Sequence, residues 1–425
     1  MYSVYVLNKH GRPLMPCSPA KARHLLKDGK AVVKHRTPFT IQLVYGSYGY
    51  RQEVILGVDA GSKTIGLSAS TKTIELFSAN VVPRNDVVNK LSTRREYRRT
   101  RRNRKTRYRQ ARFSNRVHGK HDGWLAPSVE VKIQEHITPI KRICGILPIS
   151  KVVVETAEFD LQKLKAIQLG EKVPEGEDYQ KGEMYGEYNV RQYVLKRDNY
   201  TCRICGCKDV KFHVHHIETR KIGGNAPDNL ITLCENCHEM LHRGAINPDV
   251  IGKRKLRSVR DASFMGIMRK TLIRRLEEEL DVPVVETMGY ITKATRTEYL
   301  RLAKTHTTDA LAIAQGKYGF GVNYLTNIKL SDKIYIVKFV RHHSRQTHNA
   351  NILKGGVRKL NQAPKYVFSF RLYDKVSYQG KECFVWGRRT SGKFLLRTID
   401  GVKVKDGVIH RNLILLERST NYLVT

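Results

Sequence analysis

The sequence predicts an α/β multidomain chain: a strand-and-helix core split by an inserted cysteine/histidine segment, with a small α+β unit before it and a β-rich region after it. Three observations lead there. Two apolar runs, VILGVDA (54–60) and KVVVETAEFD (151–160), each read as a buried strand with an acid at its C-terminal end. Five of the eight cysteines crowd into the 36 residues 202–237. Beyond about residue 325, the runs KIYIVKFVR, YVFSFRLYDKVSYQG, ECFVWGRR and KFLLRTIDG are short strands separated by glycine turns, the pattern of a small barrel.

Taken in order, residues 1–50 form a unit of their own. Apolar and polar residues alternate through its start, AKARHLLKDGKAVVK reads as a short helix ending at Asp28-Gly29, and TPFTIQLVYG is a further strand. Residues 51–88 hold a hairpin, VILGVDA and TIGLSAS around Gly61-Ser62-Lys63. Residues 89–121 are dominated by arginine. No glycine or proline falls between 94 and 116, so these 23 residues predict one helix, roughly 35 Å long at 1.5 Å per residue. Residues 122–188 supply an amphipathic helix over 128–147, the strand ending at Glu155, and a linker over 170–188 with six acids against two lysines. The Cys/His segment occupies 189–246. Residues 247–322 run through the basic connector GKRKLRSVR, the helix FMGIMRKTLIRRLEEEL, the strand VPVVETMGY and the helix HTTDALAIAQGKYG, and 323–425 form the β-rich end.

Charge narrows the function. The 77 Lys+Arg outnumber 39 Asp+Glu, a formal net charge of +38 that repels itself unless a polyanion neutralises it. The segment 94–120 alone holds thirteen Lys/Arg against one acid, with Tyr97, Tyr108 and Phe113 interleaved. Lacking acids, it cannot form the i,i+4 ion pairs that stabilise a solvated charged helix, so it needs an external polyanion. The region beyond 323 adds twenty basic residues against six acids. No stretch approaches the roughly 20 apolar residues of a membrane span, and the start lacks a signal-peptide cleavage pattern. Clustered cysteines fit one metal centre in a reducing cytoplasm better than a disulfide scaffold.

Cys202-x-x-Cys205 and Cys234-x-x-Cys237 form two knuckles that can present four thiolates to a structural zinc, while Cys207 has no partner at knuckle spacing. Between and just after them stand His215-His216, Asn229, His238 and His242, in the order expected of a ββα-metal nuclease. This segment resembles the cysteine-bearing HNH endonucleases. The resemblance makes His216 the general base on water and gives Asn229 the task of holding that imidazole in its productive tautomer. It makes His215 and His238 ligands of a catalytic divalent ion, with His242 either a third ligand or a phosphate contact.

A second site is expected from Asp59 and Glu155 at two strand ends and Asp309 on a helix, with His306 one turn earlier. An RNase H-like fold gathers such acids around two divalent ions. The ordered set resembles the three split motifs of a RuvC nuclease, which implies Mg²⁺ or Mn²⁺ at Asp59, Glu155 and Asp309. His306 is then a further ligand or a proton-transfer group.

The order of parts (PLMP at Pro13-Leu14-Met15-Pro16, first acid, Arg-rich helix, second acid, HNH segment, third acid) resembles the IscB family of transposon-associated RNA-guided endonucleases. That resemblance implies a bridge helix whose Arg94, Arg95, Arg98, Arg99, Arg101, Arg102, Arg104, Lys105, Arg107, Arg109 and Arg112 touch backbone phosphates of guide RNA and heteroduplex. It further implies a monomeric ribonucleoprotein that is nucleoid-associated when bound to DNA. Its HNH site would cut the guide-paired strand and its RuvC site the displaced strand of double-stranded DNA. The C-terminal region would read a short flanking motif. Two other readings compete: a protein-guided homing or restriction-type HNH endonuclease, and a non-catalytic RNA-binding scaffold.

Overall fold

A computed structural model describes residues 4–46, 48–103, 121, 123–156, 166–167, 170, 172, 184, 187, 189–219, 223–252, 260–321, 328–341 and 364–425. The chain divides into two compact units, Met1–Ala157 with Ile267–Thr425, and Glu158–Gly266. The second interrupts the first.

The first unit begins with β1 (Val4–Leu7), β2 (Pro13–Cys17), α1 (Pro19–Lys27), β3 (Ala31–His35) and β4 (Thr40–Leu43), whose strands pair in the order β2-β1-β4-β3. Ser18 caps α1 by accepting from the Lys21 amide, Pro19 opens the helix, and Gly29 turns the chain out of it at a φ of +66°. Val4, Val6, Leu14, Ala22, Ala31 and Ile41 make a small core of their own.

The central sheet starts with β5 (Val54–Asp59), β6 (Ile65–Ser70) and β7 (Glu75–Val82). α2 (Val87–Asn103) and α3 (Pro127–Cys144) follow, before β8 (Ile149–Glu155) returns to the sheet. β5, β6 and β7 form an antiparallel meander, and β8 lies parallel to β5. In α3, Ile133, Ile137, Ile140 and Ile143 recur at helical spacing and are all buried. Residues 94–103 of the Arg-rich segment are helical, and α2 starts at Val87, seven residues before the first arginine of the run. Residues 104–120, which include Arg104, Lys105, Arg107, Arg109 and Arg112, lie outside the described residues.

The second unit contains α4 (Val190–Arg197), the antiparallel pair β9 (Phe212–His216) and β10 (Leu230–Cys234), and α5 (Glu235–His242): a ββα arrangement. Most of the acidic linker lies outside the described residues.

The first unit resumes within α6 (Arg260–Glu279), where Met268, Leu272 and Leu276 are fully buried at i,i+4 spacing. β11 (Val284–Thr287) pairs parallel to β8. α7 (Gly289–Ala294) runs straight into a π-helical turn, Thr295–Tyr299, and α8 (His306–Gln315) then lies on the sheet. Two glycines let α8 approach so closely. A Cβ on Gly57 would stand 2.0 Å from the Ala310 carbonyl oxygen, and one on Gly66 1.9 Å from that of His306.

β12 (Ile334–Phe339) extends the sheet beside β7. β13 (Lys375–Tyr378), β14 (Lys381–Arg388), β15 (Lys393–Arg397), β16 (Lys403–Ile409) and β17 (Ile414–Glu417) make a separate antiparallel sheet, ordered β16-β15-β14-β13-β17. β18 (Tyr422–Val424) returns to pair with β12. The central order is therefore β11-β8-β5-β6-β7-β12-β18, and its first five strands have the order and directions of an RNase H-like sheet. Here the expectation of a C-terminal barrel is corrected. KIYIVKFVR leaves that group because β7 offers it a parallel edge, on which Tyr335, Val337 and Phe339 are buried alternately. No described helix is long and apolar enough to cross a membrane.

Candidate functional site

In the first unit, Asp59 and Glu155 end adjacent parallel strands and are register partners, so both carboxylates leave the sheet at one edge. α8 crosses above them, opened by a Thr305/Thr308 capping box, which sets His306 and Asp309 one turn apart. His306 Nδ1 lies 2.7 Å from Asp59 Oδ2. Burial pushes the Glu155 carboxyl above its ordinary range; the Thr292 hydroxyl opposes the shift, while the charges of Asp59 and Asp309 add to it. Asp309 is likewise raised by burial, against the pull of Arg296, whose Nε is 2.6 Å from Asp309 Oδ1. No three donors of this group lie mutually within 4.8 Å. Their carboxylate oxygens are donors of the kind that hard divalent cations favour.

The turn beyond Asp59 is braced from below. Lys132 Nζ donates to the Ser62 carbonyl at 2.8 Å. One turn on, His136 is fully buried, with Nδ1 2.7 Å from the Lys132 carbonyl oxygen and its ring against the Gly61 backbone.

In the second unit, Cys202, Cys205, Cys207 and Cys234 bring their sulfurs within 4.8 Å of one another. Cys237 is buried beside them, donating its backbone N–H to Cys234 Sγ at 3.4 Å, and its own thiol meets those of Cys234, Cys205 and Cys202. The cluster therefore has five thiols, not the predicted four: the turn after Gly206 (φ +75°) folds Cys207 back until its sulfur is 3.2 Å from that of Cys205. Backbone and thiol contacts from Cys207 hold Cys205 down to about 6, the state a soft metal requires. These donors fit zinc.

Beyond the thiols, β9 and α5 face each other with imidazoles. His215, His238 and His242 place ring nitrogens within 4.8 Å of one another, and the Nε2 atoms of His238 and His242 are 3.2 Å apart. His242, left open by the sequence, joins the group because i,i+4 spacing sets it directly behind His238. Burial, with repulsion from His238, His242 and His216, holds His215 down to about 4; burial first also lowers His238. His215 and His238 are thus favoured as neutral imidazoles, the form that binds a divalent ion. His213 stacks on His238 with centroids 4.9 Å apart.

His216 is the next residue on β9 after His215, so its side chain leaves on the opposite face. Its Nε2 is 3.1 Å from Asn225 Oδ1. This corrects the role expected of Asn229. Asn229 is fully buried and its amide is committed elsewhere: it accepts from the Glu218 N–H at 2.8 Å and donates to the carbonyls of Glu218 at 2.9 Å and Gly224 at 3.0 Å. It ties the loop between β9 and β10, and Asn225 holds the imidazole.

Residues 202–244 match the model of the HNH endonuclease family. That segment is an HNH endonuclease domain. Residues 4–182 of the chain also match the family described as RRXRR protein, a stretch that includes Arg98-Arg99-Thr100-Arg101-Arg102 on α2. Anaredoxin of Nostoc sp. (strain PCC 7120 / SAG 25.82 / UTEX 2576) is 30% identical over 67 residues, 16% of this chain and 88% of that protein. Among solved structures, Streptococcus thermophilus Cas9 in complex with the AGAA PAM overlaps 64% of this chain and 32% of its own, at 14% identity and a TM-score of 0.34. The Type II-C Cas9 of Actinomyces naeslundii overlaps 47% and 30%, at 17% identity and a TM-score of 0.18. The chain spans about a third of the length of these solved proteins.

On α2, Arg94, Arg95 and Arg98 are exposed, and Arg99, Arg101 and Arg102 continue the same helix. Sequence reasoning missed Cys207, Asn225, Thr292 and Arg296. Among 77 basic residues nothing sets one arginine apart, and the asparagine lies in a loop whose path no periodicity reports.

Proposed function

We propose that this HNH endonuclease is an RNA-guided DNA endonuclease of the IscB type, cutting both strands of a duplex at two independent sites. The observation that carries the reading is the insertion of the ββα unit between β8 and β11. Two complete, chemically different donor sets thus share one chain, with the carboxylates on an RNase H-like sheet of RuvC kind. At the ββα site, His216 takes the proton of the attacking water, and Asn225 fixes which imidazole nitrogen is free to do so. An ion held by His215, His238 and His242 supplies stabilisation of the leaving oxygen. The thiolates hold zinc, which keeps hairpin and helix together. At the carboxylate site, Asp59, Glu155 and Asp309 would hold Mg²⁺ or Mn²⁺, which when bound would lower the pKa of a water, and His306 orients Asp59.

The charge of +38 supports polyanionic partners. In this reading α2 binds the phosphates of a structured guide RNA and of the heteroduplex, and the β13–β17 sheet reads a short flanking DNA motif. The ribonucleoprotein is a monomer, in the reducing cytoplasm of a prokaryote. The test is to purify the protein from cells carrying its flanking locus and sequence the bound RNA. A defined non-coding RNA with one variable end is expected. RNA-free protein that still cuts one fixed sequence would establish a protein-guided endonuclease instead.

A further inference from the structure

Arg296 is 8% exposed, in a chain whose arginines are otherwise mostly at the surface. It stands in the π-helical turn that continues α7, a distortion that inserts one residue into a helical turn and often marks functional sites. Its position relative to the carboxylates is specific. Thr292, on α7, meets Glu155; Arg296, four residues on, meets Asp309. Gly289 opens the same helix at a point where a Cβ would lie only 3.0 Å from Glu155 Oε1, so the segment is pressed against the site along its length. The Arg296 head lies between two partners: Nε is 2.6 Å from Asp309 Oδ1 in an ion pair whose N–H is not aligned as a hydrogen bond, and Nη1 donates to the Leu302 carbonyl at 3.3 Å. The guanidinium charge is thus pressed against one oxygen of Asp309 and tethered from its other side by backbone.

We propose that Arg296 is the positioning residue and built-in countercharge of the carboxylate site: it fixes the orientation of Asp309 and offsets one of the three negative charges that attract divalent ions. This rests on the reading of Asp59, Glu155 and Asp309 as a metal site. A guanidinium stays charged when buried, so the offset is permanent, and its planar fork sets an angle that a lysine ammonium cannot. Ion binding at the site is weakened by a fixed positive charge alongside, while the ions that do bind meet a carboxylate already aimed.

The experiment is calorimetric titration with Mn²⁺ of the full-length chain carrying His238→Ala, which removes the histidine ion site. In that background Arg296→Met is expected to tighten Mn²⁺ binding roughly tenfold, because a nearby unit charge is lost. Arg296→Lys should leave the affinity within about threefold, since the charge remains. Unchanged or weaker binding in Arg296→Met overturns the proposal. If Arg296→Met folds poorly by circular dichroism, Arg296→Lys carries the positioning half. At saturating Mn²⁺, its cleavage of the displaced strand should fall tenfold or more with affinity unchanged, and a native rate there overturns it. Asp59→Asn and Asp309→Asn in the same background test the underlying reading. If both bind Mn²⁺ as the parent does, the carboxylate site itself is wrong, a failure distinct from that of Arg296.

Discussion

His306 Nδ1 stands 2.7 Å from Asp59 Oδ2 although 247 positions separate the two residues in the chain. The hydrogen bond raises the imidazole's affinity for a proton, so ion-free protein holds a cationic His306 to higher pH than an isolated histidine. The stabilisation this pair provides is complete below the unfolded value near 6.5 and is lost as pH rises through the higher folded one. By NMR titration, the His306 resonance should have its midpoint above 6.5 and fall toward or below it in Asp59→Asn. An unmoved midpoint would mean that the pair is not formed in solution.

Two separate donor sets imply two separable cuts. His216→Ala should stop cleavage of the guide-paired strand and leave a nickase for the displaced strand, whereas Asp59→Ala should leave the opposite nickase. Each lost cut should slow by at least about 10², the lower range for removing a positioned acid or base. Strand-specific end labels read the result. Loss of both cuts in either folded variant would contradict independence.

The five-thiol cluster makes an unequal prediction for its members. Cys234 accepts an N–H bond, is buried, and lies among the four sulfurs within 4.8 Å, so Cys234→Ser should abolish zinc and unfold the ββα unit. Structural zinc supplies roughly 10 kcal/mol of folding energy in small domains. Cys207→Ser should retain zinc at the full ratio, because it leaves both Cys-x-x-Cys knuckles intact to close a tetrahedron. Metal content per chain by mass spectrometry decides it; zinc lost equally from both variants would show that Cys207 is not a spare ligand.

Much of this arrangement was legible because it is written locally. Strand ends are announced by apolar runs, so Asp59 and Glu155 could be placed before their register pairing was known. The knuckle spacing and the His238/His242 interval are likewise short-range signals. What escaped depends on the third dimension. KIYIVKFVR alternates like any half-buried strand, and only the free edge of β7 decides which sheet receives it. Asn229 and Asn225 are chemically alike and four residues apart, and the loop path alone determines that the first ties backbone while the second meets His216. Arg296 reaches Asp309 through a π-turn, which has no sequence period to detect.

Behind the Asp59 turn, two adjacent buried residues titrate in opposing senses. Burial holds His136 down to about 4 and pushes Glu135 up to about 7. Between pH 4 and 6.5 the unfolded chain binds more protons at His136, so this residue makes stability rise with pH. Between 4.5 and 7 the folded chain binds more at Glu135, so that residue makes stability fall as pH rises. Each displacement corresponds to about 3 kcal/mol over its full window, and in wild type the two slopes largely cancel where the windows overlap. Urea unfolding from pH 4.5 to 6.5 should therefore give opposite trends relative to wild type. Glu135→Gln should gain stability with rising pH, the residual slope of His136, and His136→Phe should lose it. Parallel slopes in the two variants would show that at least one of these groups titrates near its ordinary value, and that α3 does not hold the turn through a buried, neutral imidazole.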